Sequence, residues 1–341
     1  MNWHGLGITF IAGILGGSIF APIKLLRPWK FEKSWALYSV FAYFIMPWLV
    51  AFATVPHLFR IYPQVSMRTG LICAACGLGW GIAVLLFGIS IKLVGLSIAS
   101  AIIYGSSIAV GSLAPMLISY PQRLFSKQGL PLVLADVGVI AGVLLCTMAG
   151  KVRDSALESS KKSNGAAEPS SDRSNFMKGI VASILAAFLS SLFNIALAYG
   201  GEFNRLAVAA GSSPLNAANA QWAFTVTFGY LPNVVVSIIT FTRNRSWGEL
   251  PKGPALHWIW PPIMGLTWIG GTALYGTGAT LLGKLGPVVG WPVYMSMMII
   301  TGVLWGWILG EWKNAPRRAL LYLNTGIIVQ LVSIGALGLV G

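Results

Sequence analysis

Residues 286–318 read GPVVGWPVYMSMMIITGVLWGWILGEWKNAPRR. The stretch stays apolar for long enough to cross a bilayer and closes in a charged cluster. A helix rising 1.5 Å per residue needs about 20 such residues to span a ~30 Å hydrocarbon layer. Gly302, Gly306 and Gly310 recur every four residues, so they share one side of that helix. Trp291, Tyr294, Met298, Thr301 and Trp305 fall on another side, roughly 100° away. The glycine side is expected to admit a neighbouring helix at close range. The aromatic side is expected to wall a cavity between helices.

Composition extends that reading to the whole chain. Its 341 residues are 56% hydrophobic and only 9% charged, with a mean hydropathy of +0.74. Soluble domains average about 25% charged residues, and so few charges could not cover a water-facing surface. Ten apolar stretches stand out: 5–23, 35–55, 70–91, 95–119, 130–150, 179–200, 216–241, 258–282, 288–310 and 319–340. Lipid-exposed backbone must satisfy its own hydrogen bonds, which excludes sheets for spans of this length. The expected fold is an all-α polytopic membrane protein. Residues 1–22 carry no Lys or Arg and no convincing cleavage site, so the first span reads as a retained helix.

The net charge of +14 does not point to nucleic acid, because the basic residues lie in loops between spans. Loops after odd-numbered spans hold 17 Lys and Arg, those after even-numbered spans six. Cytoplasmic loops collect such residues, which places both termini outside the cell. The polar stretch 151–175, KVRDSALESSKKSNGAAEPSSDRSN, is expected to be a mobile linker dividing five spans from five. The expected organisation is a first repeat over 1–150, a cytoplasmic linker over 151–178 and a second repeat over 179–341. Trp80 followed by Phe87–Gly88 matches Trp268 followed by Tyr275–Gly276, with Gly95 and Gly283 each 15 residues beyond the Trp. Gly17-Ser18-Ile19-Phe20 similarly matches Ser190-Ser191-Leu192-Phe193. An odd number of spans per copy inverts the second copy, an architecture that recurs in secondary transporters.

Few residues offer reactive chemistry. Of nine acids, Asp136, Glu202 and Glu311 lie in or near spans. An intramembrane acid is a candidate for function, here proton coupling. Asp136 reads equally as an interfacial carboxylate near Arg123 or Lys127, and Glu202 as a partner of Arg205 three residues on. Glu311 is expected to form a cytoplasmic ion-pair cluster with Lys313, Arg317 and Arg318, with Asn314 capping the last helix ahead of Pro316. Cys73, Cys76 and Cys146 read as small packing residues. No nucleophile–His–acid set, phosphate loop or metal motif is evident, so no enzyme activity, cofactor or metal is expected. Trp80, Tyr104, Trp268, Tyr275, Trp291 and Tyr294 lie inside spans, where they pack helices or present ring faces to a sugar. Ser18, Ser106, Ser107, Asn194, Gln221, Thr225 and Asn233 supply hydroxyls and amides, and the amides are expected to face the bundle interior. Pro115, Pro214, Pro232, Pro287 and Pro292 interrupt or begin spans and permit bends.

The segments WHGLGITFIAGILGGSIFAPIK (3–24), GLGWGIAVLLFGISIKLVGLSIA (77–99), AAGSSPLNAA (209–218) and GEWKNAPRR (310–318) resemble the L-rhamnose–proton symporters of the drug/metabolite transporter superfamily. That resemblance implies a ten-helix transporter of two inverted five-helix repeats in a bacterial inner membrane, importing a deoxyhexose with a proton. It also implies a central cavity lined by Ser18, Trp80, Tyr104, Asn194, Trp268, Tyr275, Trp291 and Tyr294; Gln221 joins them as an interior amide. A metabolite exporter or exchanger of the same superfamily, and a membrane scaffold, remain alternatives. The expected partners are a sugar, a proton and membrane lipid.

Overall fold

Backbone polar groups in hydrocarbon must bond within their own segment, and this chain meets that demand with helices. The computed structural model describes residues 2–19, 21, 22, 29–119, 122, 129–162 and 173–340, and no strand occurs among them. Ten long helices follow one another: α1 Trp3–Ser18, α2 Phe31–Thr54, α3 Met67–Val94, α4 Leu96–Ser119, α5 Gly129–Lys162, α6 Arg173–Tyr199, α7 Ala218–Arg243, α8 Trp260–Leu281, α9 Gly286–Ile308 and α10 Arg317–Val340. Among the described residues eight of them, all but α1 and α8, are long and apolar enough to cross a membrane alone. α1 has 16 described helical residues. α8 is rich in Gly, Thr and Trp and buries half of its 22 residues, because it faces protein more than lipid.

The partition of side chains is that of a protein dissolved in lipid. Leu71, Leu134, Phe188, Ile239, Leu321 and Val332 are exposed, whereas Asn194, Gln221, Asn233 and Gln330 are fully buried. Lipid tails do not drive apolar groups inward, but they do penalise an unpaired amide. The chain is a multi-pass membrane protein.

Helix pairing follows where small residues let backbones meet. α5 runs along α10, α3 packs on α6 and α7, α4 on α5, α6 and α9, α1 on α8 and α9, and α2 on α7 and α8. At the α5–α10 contact a Cβ on Gly142 would come within 2.7 Å of the Gly326 carbonyl, and one on Gly326 would meet Gly142 equally closely. Gly77 of α3 lies directly against the Thr225 carbonyl of α7. Gly265 of α8 abuts Phe41 and Ala42 of α2 in the same manner.

α2 is not regular. Residues Phe41–Ile45 form a π turn, in which the Met46 amide bonds the Phe41 carbonyl five residues back. Pro47 follows at once; lacking an N–H, it relaxes the i→i−4 ladder where the extra residue is absorbed. The bulge turns Tyr43 inward, toward Trp80 and Trp268.

Three local expectations are corrected. The glycine stripe of α9 seats no neighbouring helix: Gly302 and Gly310 meet nothing nearby, and Gly306 is covered by Trp312. Gly310 instead ends the helix at φ 76°, with Glu311 N–H donating to the Gly306 carbonyl at 2.8 Å, the left-handed cap that glycine favours. The glycines that admit α9 belong to α1, where Gly13 and Gly17 lie against Tyr294, Met297 and Thr301. The expected linker is helical at both margins, since α5 continues to Lys162 and α6 starts at Arg173. Ala, Glu and Lys between 151 and 162 sustain the helix beyond the apolar span, and residues 163–172 lie outside the described part. Asn314 does not cap α10; the Pro316 carbonyl accepts from Ala319 and Leu320, making Pro316 the first residue of that turn.

Gly77→Ala should cost about 1–3 kcal/mol, because an overpacked backbone contact cannot yield without moving α7. Gly302→Ala should leave stability unchanged or raise it by up to about 1 kcal/mol, the helix-propensity gain. Thermal unfolding of the detergent-purified variants measures both.

Candidate functional site

Asn194, in the middle of α6, is fully buried and bonded on every side. Its Nδ2 donates to the Gly111 carbonyl of α4 at 2.7 Å and to the Pro287 carbonyl of α9 at 2.9 Å. Its Oδ1 accepts from the Tyr275 hydroxyl of α8. One amide therefore ties four helices at the centre. Above it Trp291 Nε1 donates to the Ser107 carbonyl at 3.0 Å, and Ser191 Oγ donates to the same carbonyl at 3.3 Å. Gly111 is required for this seat: a Cβ there would lie 2.6 Å from Cδ1 of the Trp291 indole.

Around this polar knot the aromatic rings form one continuous layer. Trp80 of α3 and Trp268 of α8 have centroids 5.4 Å apart, and Tyr43 meets both, at 5.0 and 5.2 Å. Phe193 touches Trp80 at 5.1 Å and stacks on Trp222 at 4.6 Å. Tyr275 stacks on Tyr294 at 4.9 Å and meets Trp291 edge-on at 5.9 Å. Ring faces beside hydroxyl and amide groups suit a neutral polyol, whose C–H patches stack while its hydroxyls pair. Trp222 Nε1 is buried here without a partner among the described residues, which leaves hydrogen-bonding capacity to be claimed.

The centre is closed at both ends. At the end where α2 begins, Lys33 is enclosed by Trp29 and Trp258, 4.0 and 4.8 Å from the ring centroids, and donates to the Lys252 carbonyl. Beside it Asn244 bonds Glu32. At the opposite end, Glu202 accepts from the Ser66 hydroxyl at 2.6 Å and the Ser66 amide at 3.1 Å. Ser212 there donates to the Thr54 carbonyl at 3.0 Å. The Ser66 hydroxyl first, then Thr69 and the Ser66 amide, hold the Glu202 carboxyl below its ordinary range. The expected pairing with Arg205 contributes less than any of these.

The structure thus gathers Trp80, Asn194, Trp268, Tyr275, Trp291 and Tyr294 into one site. Three expected members have other direct partners. Ser18 accepts from Trp305 Nε1 at 2.9 Å, nearer the end of α9. Tyr104 meets Phe87 at 5.6 Å on the α3–α4 side. Gln221 donates to the Ala196 carbonyl and borders Cys73, so it joins α6 to α7 behind the ring layer. Of the two acids considered for coupling, Asp136 is 3% exposed and accepts from Ser112 of α4; Arg123 and Lys127 lie outside the described residues. Glu311 reaches Arg153 of α5 at 3.7 Å, and the Arg153 guanidinium also lies 4.6 Å over Trp312. Arg318 bonds the Tyr322 hydroxyl at 3.2 Å. Glu311 thus pairs with a residue that sequence assigned to the linker. Tyr43, Phe193, Trp222 and Gly111 belong to the site and were not anticipated. Pro47, four residues beyond Tyr43, was the available signal for the π turn that aims it.

A multi-pass helical bundle with a buried, uncharged aromatic–amide centre is the arrangement of a membrane protein that handles a small neutral solute. Over residues 1–341 the chain matches the model of a family described as L-rhamnose-proton symport protein. The chain belongs to that family, which is one of transporters and not of enzymes. It is 25% identical to the L-rhamnose-proton symporter of Escherichia coli strain K12 / DH10B, across 99% of this chain and 96% of that protein. It is 24% identical to the L-rhamnose-proton symporter of Shigella boydii serotype 18, with the same coverage of both chains.

Asn194→Leu should lower stability by about 2–4 kcal/mol, since the Gly111 and Pro287 carbonyls and the Tyr275 hydroxyl lose a partner at a buried position. Gly111→Val should displace the Trp291 ring and change its fluorescence. Thermal unfolding and tryptophan emission of the purified variants read the two effects.

Proposed function

We propose that the protein imports L-rhamnose or a related deoxyhexose with a proton, by alternating access between two inverted repeats in a bacterial cytoplasmic membrane. The observation that carries the mechanism is the interchange of helix contacts between the halves. Adding five to each helix number turns α3–α6 into α8–α1, α4–α6 into α9–α1 and α3–α7 into α8–α2, and all six pairs pack. The pairs α2–α7, α4–α9 and α5–α10 map onto themselves, and these pack too. Residues support the same exchange. Gly77, Trp80, Phe87 and Gly95 each have a counterpart 188 positions on, in Gly265, Trp268, Tyr275 and Gly283. Gly95 and Gly283 both have positive φ, 83° and 70°. The Phe87–Tyr104 contact of α3 and α4 answers the Tyr275–Tyr294 contact of α8 and α9. The repeats are residues 1–150 and 179–341.

In this reading the sugar enters the ring layer, stacks against Trp80, Trp268 and Trp291, and takes over the bond between Tyr275 and Asn194. The conformation described here, with rings in contact and both ends latched, is then the occluded state. Opening one end releases Lys33 from its aromatic cage, and opening the other releases Ser66 from Glu202. The excess of Lys and Arg after odd-numbered spans puts the Lys33 end in the cytoplasm, and with it the Glu311–Arg153 pair; both termini and the Glu202 end face outside. Each proton crossing a potential of 100 mV releases ~2.3 kcal/mol, enough to concentrate a neutral sugar roughly fifty-fold.

Proteoliposomes with an imposed pH gradient should accumulate labelled L-rhamnose above the external concentration. Accumulation of another sugar in its place would refute the substrate, and uptake that ignores the gradient but responds to internal sugar would make the protein an exchanger. Trp268→Ala should raise the half-saturating rhamnose concentration about tenfold or more, the loss of one stacked ring and its buried area.

A carboxyl held below its ordinary range stays charged until the pH falls through that depressed value, and its contribution is lost only there. Glu202→Gln should therefore shift the balance between inward and outward opening while leaving the shape of the uptake profile between about pH 6 and 8 unchanged. Transport assayed across that window checks it; a changed profile would return Glu202 to the role of proton carrier.

A further inference from the structure

Asp136 is a buried acid that the sugar site does not use. It lies seven residues into α5, about 10 Å along the helix from its first residue. Ser112 of α4 donates to its Oδ2, while Oδ1 is buried with no partner. Among the described residues the helices packed around it offer no counter-charge. α4 and α9, which pack on α5, contain no Lys, Arg, His, Asp or Glu, and α10 carries only Arg317 and Arg318, in its first turn. Ala135 belongs to a buried apolar cluster with Met116, Val289, Val293, Ile334 and Leu337, and α10 presents Ser333 opposite Gly138 and Gln330 opposite Gly142. A buried carboxylate without a counter-ion is costly, so a protein keeps one inside a membrane for what it does.

Its neighbour Ser112 follows Gly111 directly. The Gly111 carbonyl accepts from Asn194, and its Cα is covered by the Trp291 indole. Asp136 is therefore one peptide unit from the amide that holds the sugar site shut. The acid is also peculiar to one half of the chain. Gly142 and Gly326 face each other across the α5–α10 contact, and six residues before each stand Asp136 and Leu320.

We propose that Asp136 and Ser112 form the proton-binding site of the transporter, and that the 111–112 turn of α4 couples it to Asn194 and Trp291. The inference rests on the proposed function and supplies its coupling residue. A proton arriving from the outer face forms an O–H bond at Oδ1, and the same bond breaks when the proton leaves to the cytoplasm; no other covalent bond changes. Protonation removes the charge to which Ser112 donates, which frees the turn, and the Gly111 carbonyl and Asn194 then re-pair around the sugar. Asp136 touches no sugar in this scheme and acts through Ser112 and Gly111.

The test compares wild type, Asp136→Asn, Asp136→Glu and Ser112→Ala in proteoliposomes carrying an internal pH dye, with labelled L-rhamnose. Asp136→Asn should lose gradient-driven accumulation, by about tenfold or to the level reached without a gradient. It should also lose rhamnose-induced proton entry, while it keeps rhamnose counterflow and rhamnose-induced thermal stabilisation. Asp136→Glu should restore proton entry with a displaced pH profile. Proton entry and accumulation in Asp136→Asn within about twofold of wild type overturn the proposal. Should Asp136→Asn fail to fold, Ser112→Ala decides: a displaced pH midpoint of accumulation with unchanged counterflow supports the site, and an unmoved midpoint overturns it. A wild type that exchanges rhamnose but admits no proton refutes proton coupling itself, and is told apart from failure of this site because the loss precedes any substitution.

Discussion

The structure depends on a single amide that cannot be left unpaired. Water is scarce in the interior of a bilayer, so a polar group there is paired by protein or pays the cost of being bare. Asn194 meets that demand by spending both its donors on backbone carbonyls of α4 and α9 and its acceptor on the tyrosine of α8. Any motion that separates these helices must find new partners for three groups at once. A sugar rich in hydroxyls is a ligand able to supply them. The bond network that closes the centre is the same one that a substrate would replace, and this makes closure reversible without leaving an orphaned amide.

Membrane helices lack the hydrophobic drive that assembles soluble cores, and shape takes its place. Gly142 against Gly326, Gly77 against Thr225 and Gly265 against Phe41 bring backbones into contact at the α5–α10, α3–α7 and α2–α8 crossings. Under the proposed repeat two of these crossings exchange and the third maps onto itself. The contacts that set the geometry are thus those that a duplicated, inverted chain would inherit twice, whereas the acid at 136 and the π turn at 41–45 have no such origin. They are local departures, and both lead to the same centre: one through Ser112 and Gly111, the other through Tyr43.

Much of this was legible in sequence. The apolar spans and the burial of Asn194 and Gln221 follow from length and amide cost, whereas a shared cavity for Trp80, Trp268, Trp291 and Tyr294 was implied only by the resemblance to the symporter family. What escaped was whatever depends on distant contact. The glycines of α9 repeat with a perfect helical period, yet that period fixes only which side they share and not what occupies it; the close approach is made by Gly13 and Gly17 from α1. Ser18 shares a repeat motif with Ser191, but the hydroxyl of Ser18 receives Trp305, which is not one of those rings. The Arg153 contact with Glu311 joins residues 158 positions apart, and the Ser-rich character of the run hid the helix formers that keep its first turns helical. Tyr43 required a one-residue bulge that no periodicity announces.

The two closures differ in kind, and the difference bears on direction. Lys33 is buried with its ammonium between two indoles and its proton donated to a carbonyl. Cation–π contacts strengthen from about 0.5–1 kcal/mol at exposed sites to about 2 kcal/mol when desolvated, and the cage excludes the water that would otherwise compete. Glu202 and Ser66 meet at a wet surface, where solvent can replace each bond as it breaks. Separating the first pair strands a charge until water reaches it; separating the second strands nothing. On the proposed orientation the tighter closure faces the cytoplasm and the looser one faces outside, so the unloaded protein opens more readily to the exterior. An importer needs that bias, because the site must wait on the side where the sugar is scarce. Release of Lys33 then becomes the step that binding of sugar and proton has to drive.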